Sequence, residues 1–194
     1  IKRAAGETAI FGLIEGWKFT GYTGFASHGA AIAIILSMYW YSRKHLNKSL
    51  LFILDRMSIV CALGAAFVRI GNFFNSEMIG KPTEEGFPLA IIFRQLDSVP
   101  RHPGQLYEAF GYIFVFITLF LLYWKTKKST QSGFLFGLFL VLLMSVRVFV
   151  EQFKIAQIDS REDWILGLNT GQVLSIPFVV CGLYFMFFFK PKTN

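Results

Sequence analysis

The chain alternates between long apolar segments and short polar ones. Five apolar segments have the composition of helices that cross a membrane: about residues 28–41, 57–74, 106–124, 133–153 and 172–189. A helix that spans a bilayer needs roughly 20 residues, with a lower limit near 17, so we expect the first segment to begin a few residues earlier. The pattern predicts an all-α, polytopic helical membrane protein with about five transmembrane helices, as a single integral membrane domain over residues 1–194.

The charges of the short segments indicate how the chain crosses the membrane. Residues 43–56, 125–132 and 190–194 together contain nine Lys or Arg and one acid. The opposite segments, residues 75–105 and 154–171, contain five Lys or Arg and seven acids. Because short cytoplasmic segments carry the excess of Lys and Arg, the first set is predicted to be cytoplasmic and the second periplasmic.

One run outside the predicted helices has the character of a strand. Residues 89–93 are all apolar and lie in a loop bounded by Pro88 and Pro100. Proline on both sides of a short run is typical of a loop rather than of a central strand. We therefore expect only a small extramembrane element, on the periplasmic side.

The composition supports a membrane protein and argues against nucleic-acid binding and against a metal site. Hydrophobic residues make up 54% of the chain, charged residues 16%, and the mean hydropathy is +0.51, which is too apolar for a soluble domain of this size. The net charge of +7 is carried by the short segments, where topology and anionic lipid explain it better than nucleic acid does. Cys61 and Cys181 lie in separate apolar segments without His or Cys at ligand spacing, so we expect no metal, cofactor or disulfide.

The start of the chain is not a signal peptide. Glu7, Glu15 and Lys18 interrupt any apolar core there, and the first residue is Ile1 rather than Met. We therefore expect a fragment or a trimmed chain whose amino-terminal part is missing.

Residues 69–82 place charged and amide side chains in the last turns of an apolar helix and in the segment that follows it. Arg69 and Asn72 are three residues apart and share a helical face. A charged side chain near hydrocarbon is costly and therefore marks a functional site by default. Arg69 and Asn72 form a candidate anion site, and the alternative is an arginine that reaches the interface and pairs with Glu77.

A second arginine lies on another predicted helix at the same membrane level. Arg147 and Glu151 are four residues apart near its outer end. Two arginines on different helices suit a phosphate, since the planar guanidinium makes bidentate contacts and stays charged when desolvated. The alternative is a structural Arg147–Glu151 pair, and Glu151 could also orient Arg147 within the phosphate site.

Two histidines begin predicted helices at the outer face. His28 is at the start of the first span and His102 leads into the third. Histidine is the natural base where a proton must leave near neutral pH, although either could instead cap a helix or lie at the interface. Glu108 could favour the positive end of its helix or hold His102 or an arginine in place.

Five motifs occur in an order that resembles a known family. They are residues 69–82, Ser27-His28-Gly29, residues 101–108, residues 147–151 and residues 171–177. The first is similar to the Gly/Ala-Arg-x-Gly-Asn-Phe-x-Asn-x-Glu-x-x-Gly run of the bacterial prolipoprotein diacylglyceryl transferases, and the third is nearly identical to their Arg-His-Pro-Ser-Gln-Leu-Tyr-Glu run. The chain resembles this family over almost its whole length.

The resemblance implies an activity. Members transfer the diacylglyceryl group of phosphatidylglycerol to the lipobox cysteine thiol in the signal peptide of a prolipoprotein and release glycerol 1-phosphate, at the periplasmic face of the bacterial inner membrane. Arg69 and Arg147 match the family's critical arginines and would clamp the phosphate, and His28 matches its histidine, a candidate base. Glu151 would orient Arg147. Substrate-binding roles are implied for the remaining motif residues: Asn72, Asn75, Glu77, Gly80, His102, Gln105, Tyr107 and Glu108.

The chain departs from the family at three points. Ala30 replaces the second glycine of the His-Gly-Gly element, and Leu143 stands where some members have a tyrosine one turn before the second arginine. The family usually has seven spans, two of them before the point at which this chain begins.

Two other classes of function remain open from the residues alone. A transporter or lipid flippase would also place Arg, Glu and His within the membrane, although it predicts polar residues near the midplane and no inverted repeat is evident. A non-catalytic scaffold that binds anionic headgroups is the other alternative. Modification of a lipobox peptide that depends on phosphatidylglycerol distinguishes all three.

Overall fold

The computed structural model describes residues 14–15, 18–19, 27–84, 86–155, 168 and 170–189. The five helices are α1 (Ser27–Tyr41), α2 (Leu50–Phe74), α3 (Gly104–Lys125), α4 (Phe134–Val150) and α5 (Thr170–Phe187). The strands are β1 (Ile14–Glu15), β2 (Lys18–Phe19), β3 (Ile91–Ile92) and β4 (Pro100–Arg101). The chain forms two compact units, Ile1–Leu50 and Leu51–Asn194.

The first unit contains β1, β2 and α1. The two strands pair antiparallel, Ile14 with Phe19 and Glu15 with Lys18. Helix α1 continues as a π-helical turn, Ser42–Leu46, where Lys44 Nζ lies 4.8 Å from the centroid of the Trp40 ring. Basic and aromatic side chains at a helix end are typical of a membrane–water interface.

The prediction of a helical membrane protein is confirmed. Among the described residues three helical segments are long and apolar enough to span a bilayer: Leu50–Phe74, Gly104–Lys125 and Phe134–Phe153. The last combines α4 with a short 3₁₀ turn, Glu151–Phe153. The other two predicted spans are also helical but shorter, with 15 residues in α1 and 18 in α5.

Helix α2 begins at Leu50, seven residues before the predicted boundary, because the two charged residues near its start, Asp55 and Arg56, have partners that allow them inside a helix. Arg56 donates to the Phe52 carbonyl oxygen at 2.8 Å and stacks on the Phe52 ring, 3.4 Å from its centroid. The Asp55 carboxylate is buried and accepts hydrogen bonds from the backbone amides of Gly133 (2.7 Å) and Phe136 (2.9 Å). Asp55 therefore caps the first turn of α4 from a neighbouring helix.

Replacing Asp55 with alanine is expected to destabilise the fold by about 2 kcal/mol, because two amides at the start of α4 lose their acceptor in a buried place. Thermal unfolding of the full-length protein in detergent, followed by tryptophan fluorescence, measures the change. Asp97→Ala is the control, since Asp97 pairs with Arg101 in a partly exposed loop and such pairs contribute little. Equal stability of Asp55→Ala and wild type would contradict the capping role.

Helices α3, α4 and α5 pack closely through small residues. Gly137 on α4 and Gly182 on α5 approach so nearly that a Cβ on either would lie 2.6 Å from the other's carbonyl oxygen. Gly111 on α3 similarly makes room for Val146, whose Cγ1 would lie 2.4 Å from an added Cβ. Small residues at such contacts are typical of membrane helices, where close van der Waals packing drives association.

The segment between α2 and α3 holds the small extramembrane element. Strands β3 and β4 pair antiparallel, Ile91 with Arg101 and Ile92 with Pro100, which agrees with the predicted minor strand. Hydrogen bonds from the Arg101 guanidinium and the Val99 amide hold the pKa of Asp97 below its ordinary value. The segment lies where α2 and α4 end and α3 begins, so it covers one end of the helices.

Candidate functional site

The chain turns back sharply after α2. Ser76 and Met78 have positive φ angles of 55° and 52°, and the Glu77 amide donates to the Asn72 carbonyl oxygen at 2.9 Å. The Lys81 amide then donates to the Phe153 carbonyl oxygen at 2.8 Å. The segment therefore joins the end of α2 to the turn that follows α4.

Gly80 is at the tightest point of this segment. It forms an isolated β-bridge with Lys154 and is buried, and a Cβ added to it would lie 2.1 Å from the His102 carbonyl oxygen. His102 is fixed in turn by its amide, which donates to the Lys81 carbonyl oxygen at 3.0 Å. Only glycine fits here because the neighbouring atom is backbone, which cannot move aside as a side chain can.

Glu108 is the centre of a buried charge cluster. Its side chain is fully buried on the first turns of α3, with Oε2 2.8 Å from Arg69 Nε and Oε1 2.9 Å from Lys154 Nζ. Tyr112, one turn later, donates to Oε1 at 3.4 Å. One carboxylate thus ties together α2, α3 and the turn after α4. Of the roles that the sequence leaves open for Glu108, the structure contains the pairing with an arginine.

Arg69 has further donors besides the Nε that contacts Glu108. The contact with Oε2 is an ion pair without hydrogen-bond alignment, so that oxygen has no hydrogen-bond donor among the described residues. Arg69 Nη1 lies 3.0 Å from the Met78 sulfur, which is a weak acceptor. A phosphate oxygen would be a much better acceptor for this guanidinium.

A cavity of about 100 Å³ opens beside this cluster. A cavity needs roughly 10–15 Å³ to hold one water molecule, so this one has room for a phosphate group. Its charged lining consists of Arg69 from α2, Arg147 from α4, and Glu151 and Lys154 from the turn after α4, and its apolar lining consists of Met78, Ile79 and Ile155. The two arginines that the sequence places at one membrane level therefore line the same cavity, together with a lysine.

Glu151 lies beside Lys154 and α5. Its Oε2 is 3.6 Å from Lys154 Nζ, and it lines the same cavity as Arg147, so its expected role in orienting Arg147 stays a prediction. A Cβ on Gly171 would lie 2.6 Å from the Glu151 carboxyl carbon, so the carboxylate rests on the first turn of α5. Negative charge is stabilised at such a helix end, and Glu151 thereby connects Lys154 to α5.

Three further motif residues do not line the cavity. They hold in place the segment between α2 and α3, residues 75–103, which we call the covering segment. The fully buried Gln105 donates from Nε2 to the Glu77 carbonyl oxygen at 2.5 Å. His102 Nδ1 lies 3.2 Å from the Tyr107 hydroxyl oxygen, and the His102 ring packs against the Phe153 ring with 5.2 Å between centroids. These contacts fix the start of α3 against the turn that carries Lys154.

The other predicted site residues lie at the edge of the cluster or outside it. Asn72 is half-buried in the last turn of α2, whereas Asn75 and Glu77 are exposed, and none of the three lines the cavity. His28 belongs to α1 in the first unit, and its side chain lies outside the described residues. Within the part of the chain that the structure describes, no group of three His, Cys, Asp or Glu residues could hold a metal ion.

Lys154 is the site residue that the sequence analysis missed. Its side chain is 9% exposed and its Nζ contacts both Glu108 and Glu151. The signal was present in the sequence, because Arg147, Glu151 and Lys154 follow one another at spacings of four and three, which is one face of a helix. It was hidden because the predicted helix ended at Phe153.

The chain has clear similarity to known proteins. The family model described as prolipoprotein diacylglyceryl transferase matches residues 6–188. A phosphatidylglycerol–prolipoprotein diacylglyceryl transferase of Bacteroides fragilis is 43% identical over 179 residues, which cover 92% of this chain and 63% of the relative. Proteins of the same name from Tolumonas auensis and Chloroherpeton thalassium are 42% and 44% identical, each over 84% of this chain and over 61% and 60% of the relative. The chain thus spans a little over three fifths of the length of these relatives.

Proposed function

The chain belongs to the prolipoprotein diacylglyceryl transferase family, and on this premise we propose that the protein transfers the diacylglyceryl group of phosphatidylglycerol to the lipobox cysteine thiol of prolipoproteins. The observation that carries the proposal is the cavity lined by Arg69, Arg147 and Lys154. Three cations around a space of phosphate size suit a phospholipid headgroup. The proposed location is the bacterial inner membrane, with the cavity at its periplasmic face.

The reaction moves an alkyl group from a phosphate oxygen of the lipid to the cysteine sulfur of the prolipoprotein. The sulfur–carbon bond to the glyceryl carbon forms while the carbon–oxygen bond to the phosphate breaks, and the electron pair of the broken bond stays on the phosphate oxygen. Negative charge therefore grows on the phosphate in the transition state. Cations held in place before the reaction stabilise that charge without reorganising.

From the ion pairs we infer different tasks for the charged residues. Arg69 uses Nε for Glu108 and Nη1 for the weakly accepting Met78 sulfur, so its terminal nitrogens would turn to the phosphate. Arg147 would bind the phosphate from α4, and Lys154 would add a third cation. The thiol is the nucleophile of the substrate, and its proton would go to His28 or to solvent, a role for His28 that rests on the resemblance of its motif.

Transfer to a peptide tests the proposal. The full-length protein in detergent is incubated with phosphatidylglycerol and a synthetic lipobox peptide, and mass spectrometry reads the peptide. We expect the mass of a diacylglyceryl group to be added. A peptide with serine in place of the cysteine, and a reaction with phosphatidylethanolamine in place of phosphatidylglycerol, are the controls. An unmodified cysteine peptide would refute the transferase and favour a transporter or a headgroup-binding scaffold.

Lys154→Met is expected to lower kcat/KM for phosphatidylglycerol by about tenfold to 100-fold, because one cation of the phosphate site is lost while the aliphatic packing remains. Lys154→Arg is expected to retain most of the activity. Lys81→Met is the matched control, since Lys81 is exposed and does not line the cavity. Full activity of Lys154→Met would exclude Lys154 from the site.

A further inference from the structure

The charges around the cavity do not cancel. Among the described residues, the charged groups that line the cavity or pair with its cations are three bases, Arg69, Arg147 and Lys154, and two acids, Glu108 and Glu151. The cluster therefore has a formal net charge of one positive unit when all five groups are ionised.

Solvent screens this cluster weakly. The Glu108 side chain is fully buried, and the side chains of Arg69, Lys154 and Glu151 are 14%, 9% and 16% exposed. Charge interactions in such surroundings are several times stronger than in bulk water. The net charge of the cluster, and not only its hydrogen bonds, therefore decides which anion it holds.

The substrate and the product of the proposed reaction differ in charge. A phosphodiester such as the phosphatidylglycerol headgroup carries one negative charge. The phosphomonoester that leaves carries nearly two at neutral pH, because its second pKa is about 6. A cluster with one net positive charge is neutralised by the first anion, whereas the second leaves an excess negative charge.

We propose that Glu108 and Glu151 set the net charge of the cavity so that it holds a phosphodiester monoanion and releases a phosphomonoester dianion. Without these acids the three bases would attract the dianion more strongly and retain the product. Glu108 is then a specificity-determining residue as well as the partner that positions Arg69 and Lys154. This inference rests on the proposed function for the identity of the two anions.

Two small probes isolate the effect of charge. Glycerol 1-phosphate and its methyl phosphodiester share the glycerol and the phosphate but differ by one charge at pH 8. Isothermal titration calorimetry of the full-length protein gives the dissociation constant of each probe. The dissociation constant of the diester divided by that of the monoester is larger when the site prefers the dianion. The transfer assay is run on the same protein preparation.

The variants are expected to move this ratio in opposite directions. Glu108→Gln and Glu151→Gln each raise the net charge by one and should raise the ratio about tenfold, while Lys154→Met lowers the net charge and should lower the ratio. Asp97→Asn makes the same change of charge outside the cavity, at a residue that pairs with Arg101, and should leave the ratio unchanged. Distortion of the site alone would weaken both probes together.

The outcomes separate this inference from the proposed function. An unchanged ratio in both glutamine variants, or no binding of either probe to the wild type, overturns the charge selection whether or not transfer occurs. The expected shifts in ratio, in a protein that modifies no peptide, would leave the charge selection in place and refute the transferase. If Glu108→Gln does not fold, Glu151→Gln and Lys154→Met still decide the outcome.

Discussion

Arg147→Ala in the full-length protein is expected to lower kcat/KM for phosphatidylglycerol about 100-fold or more, and Arg69→Ala is expected to do the same. Both arginines line the cavity, and loss of one preorganised donor to a developing anion typically costs a factor of about 100 to 1,000. Initial rates of peptide lipidation, measured over a range of phosphatidylglycerol concentrations, give the ratio.

A conservative variant and a control variant test the role of the arginines further. Arg147→Lys keeps the charge but loses the planar fork, so we expect an activity between those of wild type and Arg147→Ala. Arg94→Ala is the matched control, because Arg94 is exposed in the segment between α2 and α3 and does not line the cavity. Transfer at the wild-type rate by both cavity variants would remove the arginines from the mechanism.

Gly80→Ala is expected to reduce transfer at least about tenfold and to lower the melting temperature. The added Cβ would lie 2.1 Å from the His102 carbonyl oxygen, and a single methyl group forced into well-packed structure costs about 1–3 kcal/mol. The clash would push the covering segment away from Lys154, with which Gly80 forms a β-bridge. Activity and thermal unfolding of the same preparation measure both effects.

Gly64→Ala is the control for this substitution. Gly64 lies in α2, and a Cβ there would meet no atom within 4 Å, so alanine should be tolerated and should even favour the helix slightly. Comparable loss of activity in both glycine variants would mean that the close approach of Gly80 to His102 is not the reason for its effect.

The sequence predicted the approach of Arg69 and Arg147 because both are charged residues near the same end of apolar helices. The structure places both at one cavity, and their role in binding phosphate stays a prediction. The sequence offers an arginine as one partner of Glu108 without saying which, because Arg69 is 39 positions away in the chain and is brought close by the packing of α3 on α2. Glu77, the expected alternative partner of Arg69, is nearer in the chain.

Other features depend on contacts that no local pattern reveals. The hydrophobic pattern places Asp55 in the cytoplasmic segment of residues 43–56, whereas in the structure it lies inside α2 and accepts hydrogen bonds from amides 78 and 81 residues later in the chain. Lys154 similarly appears as one base of a loop until the 3₁₀ turn after α4 directs it towards Glu108. Expected roles for His28 stay predictions, since its side chain lies outside the described residues.

The position of the phosphate is the most direct test of the account. A structure of the full-length protein with phosphatidylglycerol bound, determined by cryo-electron microscopy, would locate it. We expect the phosphate oxygens within about 3 Å of the guanidinium nitrogens of Arg69 and Arg147, with Lys154 Nζ nearby. A headgroup bound elsewhere, with this cavity empty of lipid, would contradict the central claim.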